Sequence, residues 1–200
     1  MASSQVVARR PVVLSDLVPS GALGSRVRDV ALVLGGAGLT GALAQLSVPV
    51  HGSPVPITGQ TLGALLVGTA LGWRRGFASL AVYLLAGVAG APWFAEHSSG
   101  WDAPSFGYVI GFVVAAAVVG ALAGAGGDRT PLRVVATMIV GNLVIYAFGV
   151  PYLMADLHVG LGTAWDIGVK NYLFGDGIKI LIAAGVLPTC WRVFGPRAGD

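Results

Sequence analysis

The sequence predicts an all-α membrane protein, a bundle of six transmembrane helices with the N- and C-termini on the cytoplasmic side. Three observations predict it. The 200 residues are 55% hydrophobic and 10% charged, with a mean hydropathy of +0.79, whereas soluble domains carry about 25% charged residues. The apolar residues gather into six runs, each near the ~20 residues that a helix needs to cross ~30 Å of hydrocarbon. The arginines sort to one side of those runs, as the positive-inside rule demands.

Residues 1–28 are mixed and basic, with Arg9, Arg10, Pro11, Pro19, Arg26 and Arg28. They read as a cytoplasmic N-terminal segment; no apolar stretch followed by a small-residue cleavage site marks a signal peptide. The transmembrane domain is taken as 29–194. Its first span is 30–48. The chain then runs through "QLSVPVHGSPVPITGQ", where Pro49, Pro54 and Pro56 make a stiff extended loop. The second span, 57–73, is short and broken by Gly63, Gly68 and Gly72. Thr58, Gln60 and Thr61 open it, either to satisfy free backbone groups at a helix start or to face a ligand. The Arg74–Arg75 turn leads to the third span, 77–94. The fourth is 106–124 and the fifth 134–153. The sixth begins near Gly168 and continues to about Phe194, with 195–200 as a cytoplasmic tail.

All basic residues but Lys170 and Lys179 fall on the N-terminal side of this arrangement, while Glu96, Asp102, Asp156 and Asp166 fall on the other. The net charge of +3 therefore reports orientation, not a nucleic-acid partner. Neither lysine sits in a GxxxxGK[ST] loop, so ATP-driven work needs other chains. His51, His97 and His158 have no metal-ligand spacing. The single Cys190 excludes an internal disulfide or a CxxC site. No GxSxG elbow is present, and no histidine lies within a span to activate a serine. The chain reads as neither an enzyme nor a holder of metal or cofactor.

One stretch stands out, "NYLFGDGIKILIAAG". It puts Asp176 and Lys179 inside the last apolar run. Asp176 precedes Arg192 by sixteen residues, about 24 Å along a helix, which places it toward the outer face. Residues three apart share a helix face. Charges facing lipid cost several kcal/mol, so this face looks into the bundle or a cavity. Three readings stay open: a structural ion pair, a polar ligand site, and a proton relay.

Four stretches together, "PVPITGQTLG", "LGWRRGFASLAVYLLAGVAGAPWFA", "GYVIGF" and "GDGIKILIAAG", resemble the BioY family of substrate-binding (S) components of energy-coupling-factor biotin transporters. The resemblance covers about Ala31 to Ala184. It implies a multi-pass protein of the bacterial cell (inner) membrane that binds biotin near its outer face. Uptake would be energised by a separate transmembrane coupling subunit and ATPase subunits. Biotin suits the residues: its ureido ring carries two N–H donors and a carbonyl, matching an acceptor-only Asp176 and a donor-only Lys179. Tyr83, Trp93, Phe94 and Tyr108 are the candidate walls for its ring and tail, or else interfacial belt aromatics. Gln60 reaches the ligand or links helices. The "EHSSGWDAPSFGY" loop departs from the family's glycine-rich pattern, and only Ser98 is carried over from it.

Ala37 and Gly41, with Gly38 and Ala42, form a small-residue stripe on the first span. It packs within the bundle or, as the resemblance implies, meets the coupling subunit. Two other readings compete with a binding subunit: a self-sufficient secondary transporter, and a non-transporting structural or sensor protein.

Overall fold

A computed structural model describes residues 13–18 and 24–195. Arg9, Arg10 and Arg197, on which part of the charge argument rests, lie outside the described residues, as does most of the N-terminal segment and the tail. Helix α1, Gly24–Ala44, starts six residues before the predicted span. The proline-rich stretch that follows is non-helical, as predicted, and closes on itself. Strands β1, Ser47–Val48, and β2, Ile57–Thr58, pair antiparallel with Ser47 opposite Thr58.

Helix α2, Gln60–Val88, is two arms joined at a break. Gly72 has φ +81° and ψ 172°, a conformation open essentially to glycine alone. A Cβ placed on Gly76 would lie 2.8 Å from the Cα of Gly68. Eight residues of unbroken helix would span about 12 Å, so the arms fold back on each other. The predicted second and third spans are these arms, and the reversal comes at Gly72, ahead of Arg74. The second arm stops at Val88, short of the predicted residue 94. Gly90, at φ +105°, followed by Pro92 cannot continue it. Trp93 and Phe94 therefore lie in a loop that includes a single helical turn at Ala95–His97.

Helix α3, Phe106–Gly124, packs between the arms of α2 and the next helix; a Cβ on its Gly120 would meet the Trp73 backbone nitrogen at 2.5 Å. Helix α4, Pro131–Leu157, outruns the predicted 134–153 at both ends. Thr130 Oγ1 caps it by accepting from the Arg133 N–H at 3.4 Å, and Pro131 fills a first position that needs no N–H. A short helix α5, Leu161–Gly168, was not predicted. The last helix, α6, starts at Leu173, later than the predicted Gly168, and ends at Phe194.

Contacts sort the helix ends into two groups. Arg75 pairs with Asp29 at 3.1 Å and with Asp16 at 2.8 Å, tying the start of α1 and the turn at Leu14–Leu17 to the α2 break. Trp191 Nε1 donates to Asp128 Oδ2 at 2.6 Å, joining the end of α6 to the α3–α4 turn. At the opposite end Gln45 Nε2 donates to the Trp93 and Phe94 carbonyls, and Ser53 Oγ donates to the Ile167 carbonyl at 2.6 Å. Among the described residues four helical stretches are long and apolar enough to cross a membrane: Gly24–Ala44, Phe106–Gly124, Pro131–Leu157 and Leu161–Phe194, the last joining α5 and α6. The protein is a mostly helical, multi-pass membrane bundle.

Candidate functional site

The first two turns of α6 hold the charged pair. Lys179 Nζ lies 3.2 Å from Asp176 Oδ1, and Asp176 is 6% exposed. The second carboxylate oxygen accepts from the Tyr146 hydroxyl of α4, and Lys179 also donates to Thr61 Oγ1 of α2 at 2.6 Å. Three helices thus meet at two charges, each with a neutral partner besides its counter-ion. That satisfaction is what makes charge at membrane depth tolerable.

Beside the pair lies a cavity open on one side. Its polar side is Thr61, Asn142, Tyr146, Asp176 and Lys179; Val109, Phe112 and Ile145 form an apolar wall, and Val55 and Pro56 of the β1–β2 loop cover it. The loop is held at one residue. Ser53 Oγ donates to the Ile167 carbonyl at 2.6 Å and lies 2.7 Å from the Tyr172 hydroxyl, which donates to the Val55 carbonyl.

Gln60 lines the cavity from the first turn of α2. Its Oε1 accepts from Thr58 Oγ1 at 3.0 Å and its Nε2 donates to the Tyr83 hydroxyl at 2.6 Å. Tyr108 also lines the cavity and donates to the Gly168 carbonyl at 2.9 Å. Phe94 and Ser98 face a smaller annex that shares Gln60, Ser105 and Val109 with the cavity.

Two predicted wall residues are corrected. Tyr83 is fully buried, its hydroxyl donating to the Trp93 carbonyl while Trp93 Nε1 donates back to the Tyr83 carbonyl at 2.9 Å. They clamp each other behind Gln60 and do not line the cavity, because α2 ends early and turns Trp93 back across its own second arm. The predicted stripe on α1 divides. Ala37 and Gly41 face inward, and a Cβ on Gly41 would touch the Trp93 ring at 3.3 Å; Gly38 and Ala42 are exposed. Ala37 and Gly41 are therefore internal packing, not partner surface.

Sequence reasoning missed Asn142 and Tyr146. They are polar residues one turn apart inside an apolar run, which is a signal at membrane depth. Tyr172 and Ser53 carried no such signal. Asp128 was also missed: it is fully buried in a turn, and its Arg129 neighbour lies 3.5 Å over the Trp191 ring. Burial pushes the Asp128 carboxyl above its ordinary value.

The profile of the BioY family matches residues 14–196. A probable biotin transporter BioY of Lysinibacillus sphaericus is 32% identical over 162 residues, covering 77% of this chain and 81% of that one. A probable biotin transporter BioY of Pyrococcus horikoshii is 34% identical over 161 residues, covering 79% and 93%. The crystal structure of an S-component for biotin from an ECF-type ABC transporter superposes with a TM-score of 0.74 at 19% identity, over 86% of this chain and 97% of that one.

Proposed function

The chain belongs to the BioY family, and on that premise we propose that it is the biotin-binding membrane subunit of an energy-coupling-factor transporter. The family is one of transporters, not enzymes. The observation that carries the reading is the cavity whose polar side pairs a carboxylate with an ammonium. An Asp176 oxygen accepts a ureido N–H, and Lys179 donates to the ureido carbonyl. Phe112, Ile145 and Val109 receive the apolar ring and tail. Biotin has no part in a proton relay here, and Asp176, already neutralised by Lys179, is poorly suited to couple an ion gradient. This favours a binding subunit over a self-sufficient secondary transporter.

Six membrane crossings complete the reading: α1, the two arms of α2, α3, α4 and α6. The end bearing Arg28, Arg75, Arg129 and Arg192 is cytoplasmic, so both termini are too, and the cavity opens outward. Gly38 and Ala42, the exposed half of the α1 stripe, are the surface offered to a coupling subunit, with ATPases beyond it. Titration calorimetry on the purified chain in detergent tests the central claim. One biotin should bind without ATP hydrolysis; folded protein that gives no heat with biotin overturns it. Ala42→Trp should then leave binding intact while impairing ATP-driven uptake in the assembled complex.

A further inference from the structure

The cavity continues into the annex beneath the loop between α2 and α3; Gln60, Ala95, Ser105 and Val109 line both, whereas Asp176 and Lys179 line only the cavity. A ligand held at its ring by the charged pair therefore ends its tail at the annex. Ser98, Ser99 and Ser105 give that annex its hydroxyls. Ser98 Oγ donates to the Ala95 carbonyl at 2.7 Å, and among the described residues the Ser99 and Ser105 hydroxyls make no hydrogen bond. A hydroxyl both donates and accepts, so it can pair with either half of an amide. The charges beside these serines are acidic. Glu96 follows Ala95, and Asp102 Oδ2 lies 3.9 Å from a Cβ built on Gly100, which lines the annex. Apart from the Asp176–Lys179 pair, this end of the bundle carries the carboxylates of Glu96, Asp102, Asp156 and Asp166 against Lys170, whose Nζ is 3.4 Å from Asp166 Oδ1.

We infer that this site takes biotin whose carboxyl is capped as an amide, and that it prefers a conjugate with an amine beyond the amide to free biotin. The inference rests on the biotin reading above and concerns the opposite end of the ligand. A free carboxylate is acceptor-only. Entering the annex, it sheds water and meets the like charges of Glu96 and Asp102. An amide carries no charge to desolvate, and its N–H and carbonyl both match serine hydroxyls. An amine placed further along the tail reaches the acidic rim. Glu96 and Asp102 are exposed, so their attraction for it is that of charges in water, modest and screened by salt.

Three ligands that share the ring and differ in tail charge test it: biotin, biotinamide and N-(2-aminoethyl)biotinamide. Calorimetry on the purified chain in nonionic detergent, at low ionic strength and a pH where histidine is neutral, should rank them in rising affinity. Biotinamide should bind at least as tightly as biotin, and the aminoethyl amide about 3- to 10-fold more tightly. The spread should collapse in about 0.5 M salt, and also in the double variant Glu96→Gln with Asp102→Asn. Biotin binding more tightly than biotinamide would mean that the annex recognises a carboxylate. That result overturns the inference and leaves the biotin reading standing, as does an aminoethyl amide no tighter than biotin. A ranking that persists unchanged in salt or in the double variant does not come from the rim and overturns it too. Folded parent that binds none of the three overturns the biotin reading, and this inference with it.

Discussion

Asp176→Asn separates a charge pair that serves a ligand from one that serves the fold. In the parent, one carboxylate oxygen accepts from Lys179 at 3.2 Å and the other from Tyr146. An amide offers one acceptor where two donors converge, so one of them loses its partner. The ligand-free protein should suffer modestly. Lys179 keeps Thr61 at 2.6 Å and its side chain is 16% exposed, so the cost falls well below the ~3–5 kcal/mol of a fully orphaned buried charge and nearer ~1–2 kcal/mol. Binding should suffer more. A ureido N–H loses its charged acceptor, worth about 1.5–3 kcal/mol or roughly 10- to 150-fold in Kd. Calorimetry with biotin reads the second effect and thermal unfolding the first. The double variant Asp176→Leu with Lys179→Met sharpens the comparison. Removing both charges should restore ligand-free stability, because apolar replacements of buried pairs are often neutral or better, yet binding should stay lost. If the double variant binds biotin with near-parental affinity, or if well-folded Asp176→Asn does, the pair does not hold the ligand.

Ser53→Ala unfastens the β1–β2 loop from Ile167 and Tyr172; biotin should then dissociate about 5- to 30-fold faster in stopped-flow experiments, and an unaltered rate would mean that this loop does not gate the cavity. Gly72→Ala forces a side chain into a φ of +81° against Val13; unfolding should cost about 1–3 kcal/mol less than in the parent, and an unchanged melting temperature would contradict the hairpin. Burial raises the Asp128 carboxyl above 3.8, so the folded state holds that proton more tightly than the unfolded chain. Its contribution to stability therefore grows as pH falls through the raised value toward the ordinary one, and shrinks as pH rises. The melting temperature of the parent relative to Asp128→Asn should climb as pH is lowered across that window; a flat difference would show that Asp128 titrates normally.

What the sequence made legible follows from the bilayer. Apolar runs must be about a membrane thick, and two charges three residues apart on a helix must share a face, so the bundle and the Asp176–Lys179 site could be read directly. Contacts between distant segments could not. Tyr83 and Trp93 looked like cavity walls because they are aromatic and lie near the right depth; their mutual clamp depends on where α2 stops. Gly41 and Ala42 are adjacent on a helix that is apolar or small nearly all round, so composition gives no sign of which one faces inward. Helix α5 escaped notice because eight residues with one acidic side chain do not distinguish a short helix from a loop. Asn142 and Tyr146 were visible as polar residues in an apolar run; weighing them as charges are weighed would have placed them in the site.

The meeting of Gly68, Gly76 and Gly120 also limits how this protein can vary. A methyl group at Gly68 would overlap the Ala116 backbone, one at Gly76 the Gly68 backbone, and one at Gly120 the backbone at Gly72 and Trp73. Main chain here rests on main chain, with no flexible side chain to yield. No sequence of small substitutions, each tolerable alone, leads from glycine to anything larger at these positions; two helices would have to part at once. The outward side of α6 is the reverse case, with Phe174 82% and Leu181 70% exposed, where any apolar residue meets the same lipid. Across related chains, change should therefore accumulate on the rim and stall at the hinge, and an engineer seeking a more robust variant has room to work only on the former.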